Sequence, residues 1–150
     1  MTTGMWVLLA AVVLAVGFGS YRALTDGHFR GTHRVRGATS PPTRTDDGVW
    51  PRVAGAFPSA ALGERATLVQ FSSAFCAPCR TTRRVLAGIA ESEPGVVHVE
   101  IDAELHLEIV RHLGILRTPT TLLLGPAGQE LGRAGGVPSR DQVLRVLSGC

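Results

Sequence analysis

Residues 67–80, Thr-Leu-Val-Gln-Phe-Ser-Ser-Ala-Phe-Cys-Ala-Pro-Cys-Arg, decide the fold of this chain. The apolar run at residues 68–71 has the length of a short buried strand, and a helix-like segment, Thr82 to Ala90, follows the cysteines. This order predicts that Cys76 lies at the start of a helix and that Cys79 lies one turn inside it. Such a spacing suits a disulfide that is repeatedly formed and broken.

The cysteine pair has three chemical interpretations. Structural zinc normally requires four ligands, whereas the chain offers one pair and a remote third cysteine, Cys150. A purely structural disulfide would gain little by closing so short a loop. A redox-active pair is favoured because strand, motif and helix follow one another in the order that such sites use. We therefore expect no metal and no organic cofactor, and we interpret Cys150 as a free thiol.

The predicted helix start gives the two thiols different roles. Unpaired backbone N–H groups and the positive end of the helix dipole favour the thiolate of Cys76, which is the expected nucleophile. Pro78 fits the first turn of the helix, where its missing N–H is harmless. Cys79 should be more buried and should act as the resolving thiol.

The sequence after this helix predicts a second strand and a second helix. Residues 96–101 alternate between apolar and polar side chains, with His98 and Glu100 on the polar face. Asp102 is the predicted N-cap of a helix that ends at Gly114 and carries apolar residues at helical spacing, namely Leu105, Ile109 and Leu113.

The last third of the chain predicts a hairpin and a final helix. Strands at Thr120–Leu124 and Gln129–Arg133 flank a turn at residues 125–128, and Ser139 and Gln142 have the spacing of a capping box. A β-α-β unit forms a parallel pair with a right-handed crossover, and the hairpin adds antiparallel strands. The order strand, helix, strand, helix, strand, strand, helix therefore predicts an α/β fold with a mixed sheet flanked by helices.

The N-terminal region predicts one transmembrane helix. Residues 1–21 contain no charged side chain, and about 20 helical residues cover the hydrocarbon core of a bilayer. A cleaved signal peptide is the rival interpretation, but it would carry a cationic start that is missing here. We predict an anchor at residues 1–21, a flexible basic linker at residues 22–52 and a redox domain at residues 53–150.

The positive charges indicate an orientation and a partner. Arginines follow the apolar segment at positions 22, 30, 34, 36 and 44, and the chain has a formal charge of +3. The positive-inside rule therefore places the redox domain on the cytoplasmic side of the cell membrane. A basic collar beside a bilayer indicates contact with anionic lipid, and no basic patch interleaved with aromatic residues indicates nucleic acid.

Residues 67–80, read together with residues 114–128, resemble the thioredoxin family over about residues 60–148. Cys76-Ala77-Pro78-Cys79 is similar to the active-site motif of that family. Thr118, Pro119 and Thr120 are similar to its cis-proline loop, which lies against the disulfide and pairs with the substrate backbone. The resemblance implies a thioredoxin-like fold and assigns substrate docking to these three residues.

Three residues depart from the thioredoxin pattern. Gln70 stands where the family has a buried acid and cannot act as a base, His98 stands at the position of the accompanying lysine, and Phe75 replaces a tryptophan. His98 and Glu100 are candidates for a substitute proton relay to Cys79. The alternative is that they only form the polar face of a strand.

We therefore expect a membrane-tethered thiol–disulfide oxidoreductase that reduces protein disulfides and is recharged by an unidentified thiol reductant or oxidant. Two alternatives remain open. One is an extracytoplasmic thioredoxin-like protein for cytochrome c maturation or disulfide handling. The other is a non-enzymatic module of the same fold that binds a membrane partner.

Overall fold

A computed structural model describes residues 3–25, 29–31 and 48–149. The elements in chain order are α1 (Thr3–Thr25), β1 (Phe29–Gly31), α2 (Val49–Ala56), β2 (Ala66–Ser72), α3 (Ala77–Ser92), β3 (Val96–Asp102), α4 (Leu107–His112), β4 (Thr120–Leu124), β5 (Glu130–Gly135) and α5 (Arg140–Leu147). The predicted order of elements from β2 onward is confirmed. Cys150 lies outside the described residues.

The five strands form one mixed sheet in the order β1-β5-β4-β2-β3. β2 pairs with β3 in parallel and with β4 antiparallel, and β4 pairs with β5 antiparallel. The parallel pair arises because α3 connects β2 to β3, so the chain must cross back over the sheet before it can pair again. The turn at residues 125–128 makes the antiparallel hairpin, closed by the Gly125 N–H that donates to the Gln129 carbonyl.

The sheet carries an apolar core on each face. Alternation along β2 sends Leu68 towards α3 and α5, where it packs with Leu86, Ile89, Val143 and Leu147. The intervening residues, Val69 and Phe71, point to the other face, where they pack with residues of α2 and α4 such as Val53 and Ile109. Because β2 is central and covered on both faces, every one of its residues is buried.

Helix α3 begins at Ala77 and buries one stripe of its surface. The stripe consists of Cys79, Thr82, Leu86 and Ile89, which recur at helical spacing in the sequence. Pro78 lies in the first turn, as predicted. The buried stripe fixes the helix against the sheet and thereby fixes the height of the two cysteines above β2.

The predicted start of the fourth helix is wrong. The helix begins at Leu107 rather than after Asp102, and His106 is its N-cap residue. The Asp102 carboxylate instead accepts the backbone N–H of Glu104 at 2.8 Å, a local turn that competes with helix formation. Leu105 therefore lies before the helix and is 77% exposed. Gly114 ends the helical segment with a positive φ of 63°.

The capping box of the last helix is confirmed. The Gln142 N–H donates to the Ser139 hydroxyl, and the Gln142 side chain accepts the Ser139 N–H. Val143 and Leu147 are buried on the inner side of α5, whereas Leu144 is half-buried at its edge.

The N-terminal part of the chain contains one helix that is long and apolar enough to cross a membrane, within the residues that the structure describes. It covers residues 4–22 with a mean hydropathy of 1.9, values that a signal sequence also satisfies. The predicted linker at residues 22–52 is not uniformly without structure. Strand β1 lies within it, and α2 begins at Val49, four residues before the predicted domain boundary. Residues 32–47 lie outside the described residues.

Candidate active site

Cys76 and Cys79 form a disulfide at the start of α3, with their Cα atoms 5.2 Å apart. Cys76 is the N-cap residue, in an extended conformation, and its sulfur accepts the backbone N–H of Cys79 at 3.1 Å. Cys79 is 2% exposed, whereas Cys76 is half-buried. The two cysteines therefore differ in their access to solvent, and Cys76 is the more exposed residue.

The helix start provides a positive environment for the Cys76 sulfur. The first N–H groups of α3 have no partner inside the helix, and the first turn contains no acidic residue. An N–H group that already points at the sulfur will stabilise a thiolate there more than a thiol. The exposed residue Arg80 adds a positive charge close to the motif.

A second loop lies against the loop that precedes the cysteines. The Ser73 carbonyl accepts the Cys76 N–H at 3.3 Å, and the Ser73 hydroxyl hydrogen-bonds the Thr118 hydroxyl at 3.1 Å. The Thr118–Pro119 peptide bond is cis. Pro119 is buried, and its carbonyl accepts the N–H of Gly136 at 2.8 Å. The structure thus brings together two segments that lie about 40 residues apart in the sequence.

The loop at residues 116–119 is called the proline loop below. Thr120 lies on its inner side rather than on its outer surface. Its side chain is 7% exposed, and its hydroxyl donates to the Arg117 carbonyl at 2.8 Å. The guanidinium group of Arg117 donates to the carbonyl of Gly135 at 3.2 Å. These bonds tie the loop to β5, so Thr120 shapes the loop while Thr118 and Arg117 form its outer edge.

Two large apolar side chains are exposed beside these loops. Phe75, immediately before Cys76, is 99% exposed, and Leu116, at the start of the proline loop, is 96% exposed. Apolar side chains at such exposure on adjacent functional loops are characteristic of a surface that contacts a partner. The sequence indicated Phe75 only through its departure from the family pattern and gave no signal for Leu116.

Gln70 lies below Cys79 and connects it to His98. The Gln70 side-chain NH₂ donates to the Cys79 carbonyl at 3.0 Å, and its oxygen lies 3.2 Å from His98 Nε2. With Gln70 in this orientation, Nε2 of His98 carries the proton and donates it to the amide oxygen. Gln70 thus reaches the backbone of Cys79 and links it to a titratable ring.

His98 and Glu100 lie on the same face of β3, next to Arg83 of α3. Burial is the main reason why the pKa of His98 is lower than its usual value, with the Arg83 charge acting in the same direction and the Glu100 charge opposing it. Burial would raise the pKa of Glu100, but hydrogen bonds from Arg83 and Ser72, with the nearby positive charge, outweigh it and lower the pKa. Glu100 is thus an ion-pair partner of Arg83, and His98 is the neutral group.

Two buried hydroxyl groups near this network have no hydrogen-bond partner among the described residues. They belong to Thr82, one turn after Cys79, and to Thr121, which pairs with Gln70 across β2 and β4. Unpaired buried hydroxyls are rare in folded proteins. The region beneath Cys79 is therefore polar. Nothing in the sequence around Thr82 or Thr121 predicted this.

The other histidines of the described region lie apart from the disulfide. The ring of His106 packs on Phe57 with centroids 4.5 Å apart. His112 is exposed on α4, with Nδ1 3.0 Å from the carbonyl of Glu108. An open cavity of about 620 Å³ between α2 and α4 includes both histidines. Within the described residues, no group of three or more His, Cys, Asp or Glu side chains could hold a metal ion.

A disulfide at a helix N-terminus, on a mixed sheet covered by helices and beside a cis-proline loop, defines the class of thiol–disulfide exchange proteins. The thioredoxin family model matches residues 50–148. The chain therefore belongs to the thioredoxin family, and its cysteine pair makes it a thiol–disulfide oxidoreductase.

Comparisons with individual proteins agree with this assignment. The chain is 31% identical over 93 residues to thioredoxin from Alicyclobacillus acidocaldarius, which covers 61% of this chain and 88% of that protein. It is 40% identical over 58 residues to thioredoxin domain-containing protein 2 from Homo sapiens, covering 39% of this chain and 10% of that protein. A mutant thioredoxin from Halobacterium salinarum NRC-1 superimposes with a TM-score of 0.53 at 20% identity, covering 57% of this chain and 74% of that one.

Proposed function

We propose that this protein is a membrane-tethered reductase of protein disulfides in which Cys76 attacks and Cys79 resolves. The observation that carries the assignment is the asymmetry of the pair, because Cys76 caps α3 and is accessible while Cys79 is 2% exposed. The Cys76 thiolate attacks a substrate disulfide, forms a mixed disulfide and releases one substrate thiolate. Cys79 then attacks the Cys76 sulfur, restores the Cys76–Cys79 disulfide and releases the second thiolate.

The second step gains most from the geometry. Cys79 lies within the same helical turn as Cys76, so its attack on the mixed disulfide is intramolecular, an advantage that proximity can make very large. The helix start contributes less, because a lower thiol pKa also lowers the nucleophilicity of the thiolate. A dithiol donor must then reduce the Cys76–Cys79 disulfide, and the donor is itself oxidised to a disulfide.

The outer edge of the proline loop is the proposed docking site for substrate. Thr118 lies beside the loop that leads to Cys76, through the Ser73–Thr118 hydrogen bond of 3.1 Å, and Pro119 follows it as a buried residue. An extended substrate segment laid along this edge would bring its disulfide to the accessible sulfur. Thr120 supports the loop from inside and belongs to the docking site only in that sense.

His98 is the proposed proton acceptor for Cys79, and Gln70 positions its ring. Gln70 donates to the Cys79 carbonyl and accepts the His98 Nε2–H, so it holds the ring in place without passing a proton. Burial lowers the pKa of His98, and the neutral ring would accept a proton at Nδ1 through water. Glu100 holds Arg83 and takes no direct part in this path. The unpaired hydroxyls of Thr82 and Thr121 supply further polar groups beneath Cys79.

Reduction of insulin tests the redox function. The full chain in a mild detergent, supplied with dithiothreitol, should accelerate the precipitation of insulin chains, and the Cys76→Ser variant should lose that acceleration. Equal activity of the two proteins would remove the redox assignment and favour the non-enzymatic binding module. The reduction potential of the pair gives the direction of electron flow, since about −270 mV is typical of a reductase and about −120 mV of a strong oxidant.

The proposed location is the cytoplasmic face of the cell membrane, with α1 as the anchor. The support is the apolar helix over residues 4–22 and the arginines that follow it in the sequence. Protease added to sealed right-side-out vesicles should leave the redox domain intact. Digestion of the domain in intact vesicles would instead favour the extracytoplasmic alternative, whose roles include disulfide handling and cytochrome c maturation.

A further inference from the structure

Strand β1 joins the end of the apolar helix to the sheet of the redox domain. Its three residues pair antiparallel with β5, in the register Phe29 with Ala134, Arg30 with Arg133 and Gly31 with Gly132. β1 also lies against α5. The segment that follows α1 therefore adds a strand to the edge of the sheet instead of acting as a free tether.

The register shows which end of the sheet receives the incoming chain. Phe29, where β1 begins, pairs with Ala134 near the end of β5. The next residue, Gly135, pairs with Thr120, and Thr120 in turn pairs with Phe71 at the end of β2. This is the end of the sheet at which β2 leads to the disulfide and at which the proline loop lies. We call this end of the sheet the redox end. The chain that follows α1 thus enters the sheet at the redox end.

The short connection limits how far the redox end can lie from the helix. Only residues 26–28 separate Thr25 from Phe29, a reach of at most about 14 Å. Three strand spacings, roughly 14 Å, separate β1 from β2 across the sheet. The disulfide end therefore lies within roughly 30 Å of the end of α1. A free linker over the 31 residues from 22 to 52 would have allowed about 100 Å.

The surface at the redox end has the composition of a membrane-proximal contact. Phe75 and Leu116 are almost fully exposed there, and Arg80 and Arg117 are exposed beside them. Apolar side chains flanked by arginine suit the headgroup level of a bilayer with anionic lipid. The opposite end of the sheet, at the hairpin turn of Pro126 and Ala127, lies roughly 20 Å farther along the strands.

We propose that α1 and β1 hold the redox end of the domain against the bilayer, so that its redox partner is a membrane protein whose cysteines lie at headgroup level. This inference rests on the proposed function and on α1 as a membrane span. The pairing of β1 with β5 fixes the geometry, and the exchange chemistry at Cys76 and Cys79 is unchanged. A water-soluble disulfide protein would reach this surface only from the side.

Energy transfer to the membrane surface tests the geometry independently of redox activity. The full chain, with Trp6→Phe and Trp50→Phe, is placed in phosphatidylcholine and phosphatidylglycerol vesicles that carry dansyl-labelled headgroups. A single tryptophan is then introduced at the redox end by Phe75→Trp or at the opposite end by Ala127→Trp, both exposed positions. Transfer should be clearly stronger from position 75 than from position 127.

Two insertions of the same length provide the matched control. A 20-residue Gly-Ser spacer between residues 27 and 28 separates α1 from β1 and should abolish the difference between the two positions. The same spacer between residues 39 and 40 lies after β1 and should leave the difference intact. Equal transfer from both positions in the parent protein, or an unchanged difference after the first insertion, would overturn the proposal.

A lipid-anchored substrate tests the partner. A disulfide-bonded peptide coupled to a lipid headgroup should be reduced faster than the same peptide free in solution, because tethering raises its effective concentration at the redox end. The spacer between residues 27 and 28 should lower this preference, while the spacer between residues 39 and 40 should not. Equal rates for both peptides, with insulin reduction intact, would refute the membrane partner and leave the redox function standing.

Discussion

Gln70 distinguishes this redox site from one built on a buried carboxylate. Its amide group cannot gain or lose a proton at physiological pH, but it touches the Cys79 carbonyl and His98 Nε2 at the same time. The titratable group is thereby moved one side chain farther from the sulfur. Because the His98 Nε2–H faces Gln70, the neutral ring could take a proton only at Nδ1, and a proton from the Cys79 sulfur would have to reach it through water.

The pH dependence of stability should reveal the buried ring of His98. Its pKa in the folded protein is below the usual 6.5 because of burial, so below pH 6.5 the unfolded chain binds the proton more readily. The free energy of unfolding should therefore fall as the pH is lowered from about 6.5 towards the folded pKa. Equilibrium unfolding at pH 7 and pH 5.5 measures this fall, which His98→Gln should reduce.

His112→Gln is the matched control for that measurement. His112 is exposed on α4 and lies outside the Gln70 network, so its replacement should leave the fall in stability unchanged. The same pair of variants tests the proton path in the exchange reaction. His98→Gln should change the pH profile of insulin reduction while His112→Gln should not, and identical profiles for all three proteins would exclude His98 from that path.

The contacts of individual side chains were harder to predict than the faces on which they lie. Alternation along residues 96–101 correctly separated His98 and Glu100 from the apolar face. It could not show that His98 meets Gln70, because that contact depends on the parallel register of β2 and β3. The unpaired hydroxyl of Thr121 was equally invisible, since only the assembled sheet places it beside Gln70.

Helix α3 contains a glycine in its interior, at a position that has room for a methyl group. Gly88 lies in the helix interior, and an added Cβ would meet only the Arg140 guanidinium, at 4.0 Å. Gly88→Ala should therefore stabilise the protein by up to about 1 kcal/mol, because alanine loses less conformational entropy in a helix. Urea unfolding measures the change. Gly63→Ala is the opposing control, because its Cβ would collide with the carbonyl oxygens of Ala66 and Gly95 and should destabilise the fold.

The N-cap of α5 should contribute measurably to stability. The Ser139 hydroxyl accepts the Gln142 N–H, and removing such a cap costs about 1 kcal/mol. Ser139→Ala should lower the free energy of unfolding by that amount in the same urea experiment. Ser59→Ala, at an exposed position after α2, should leave it within about 0.5 kcal/mol of the parent value. Equal effects of the two changes would contradict a capping role for Ser139.

Local sequence patterns predicted most of the secondary-structure elements. The wrong start of α4 and the unpredicted strand β1 have physical reasons. The helix after the cysteines and the capping box at Ser139 are local signals, and the sequence predicted both. The start of α4 was misplaced because the apolar residue Leu105 matched the helical period while Asp102 stabilised a turn instead. Strand β1 was missed because three residues carry no period, and their strand conformation depends on pairing with β5, about 100 residues later.

At the scale of the whole molecule, the apolar helix and the redox domain are connected through the sheet. The family assignment rests on residues 50–148, which exclude both α1 and β1. What this chain adds to a thioredoxin domain is therefore an apolar helix and an edge strand that enters at the redox end. This combination would restrict the range of substrates through geometry, without any change in the chemistry of the cysteine pair.

The central claim is that Cys76 attacks the substrate disulfide and Cys79 resolves the mixed disulfide. Trapping of the mixed disulfide tests this claim most directly. In a Cys150→Ser background, the Cys79→Ser variant should accumulate a covalent adduct with insulin through Cys76, because the resolving thiol is missing. The Cys76→Ser variant should form little adduct, since Cys79 is buried. Mass spectrometry of the non-reduced proteins identifies the attachment site. Equal trapping by both variants, or an adduct confined to Cys79, would contradict the assignment of Cys76 as the nucleophile.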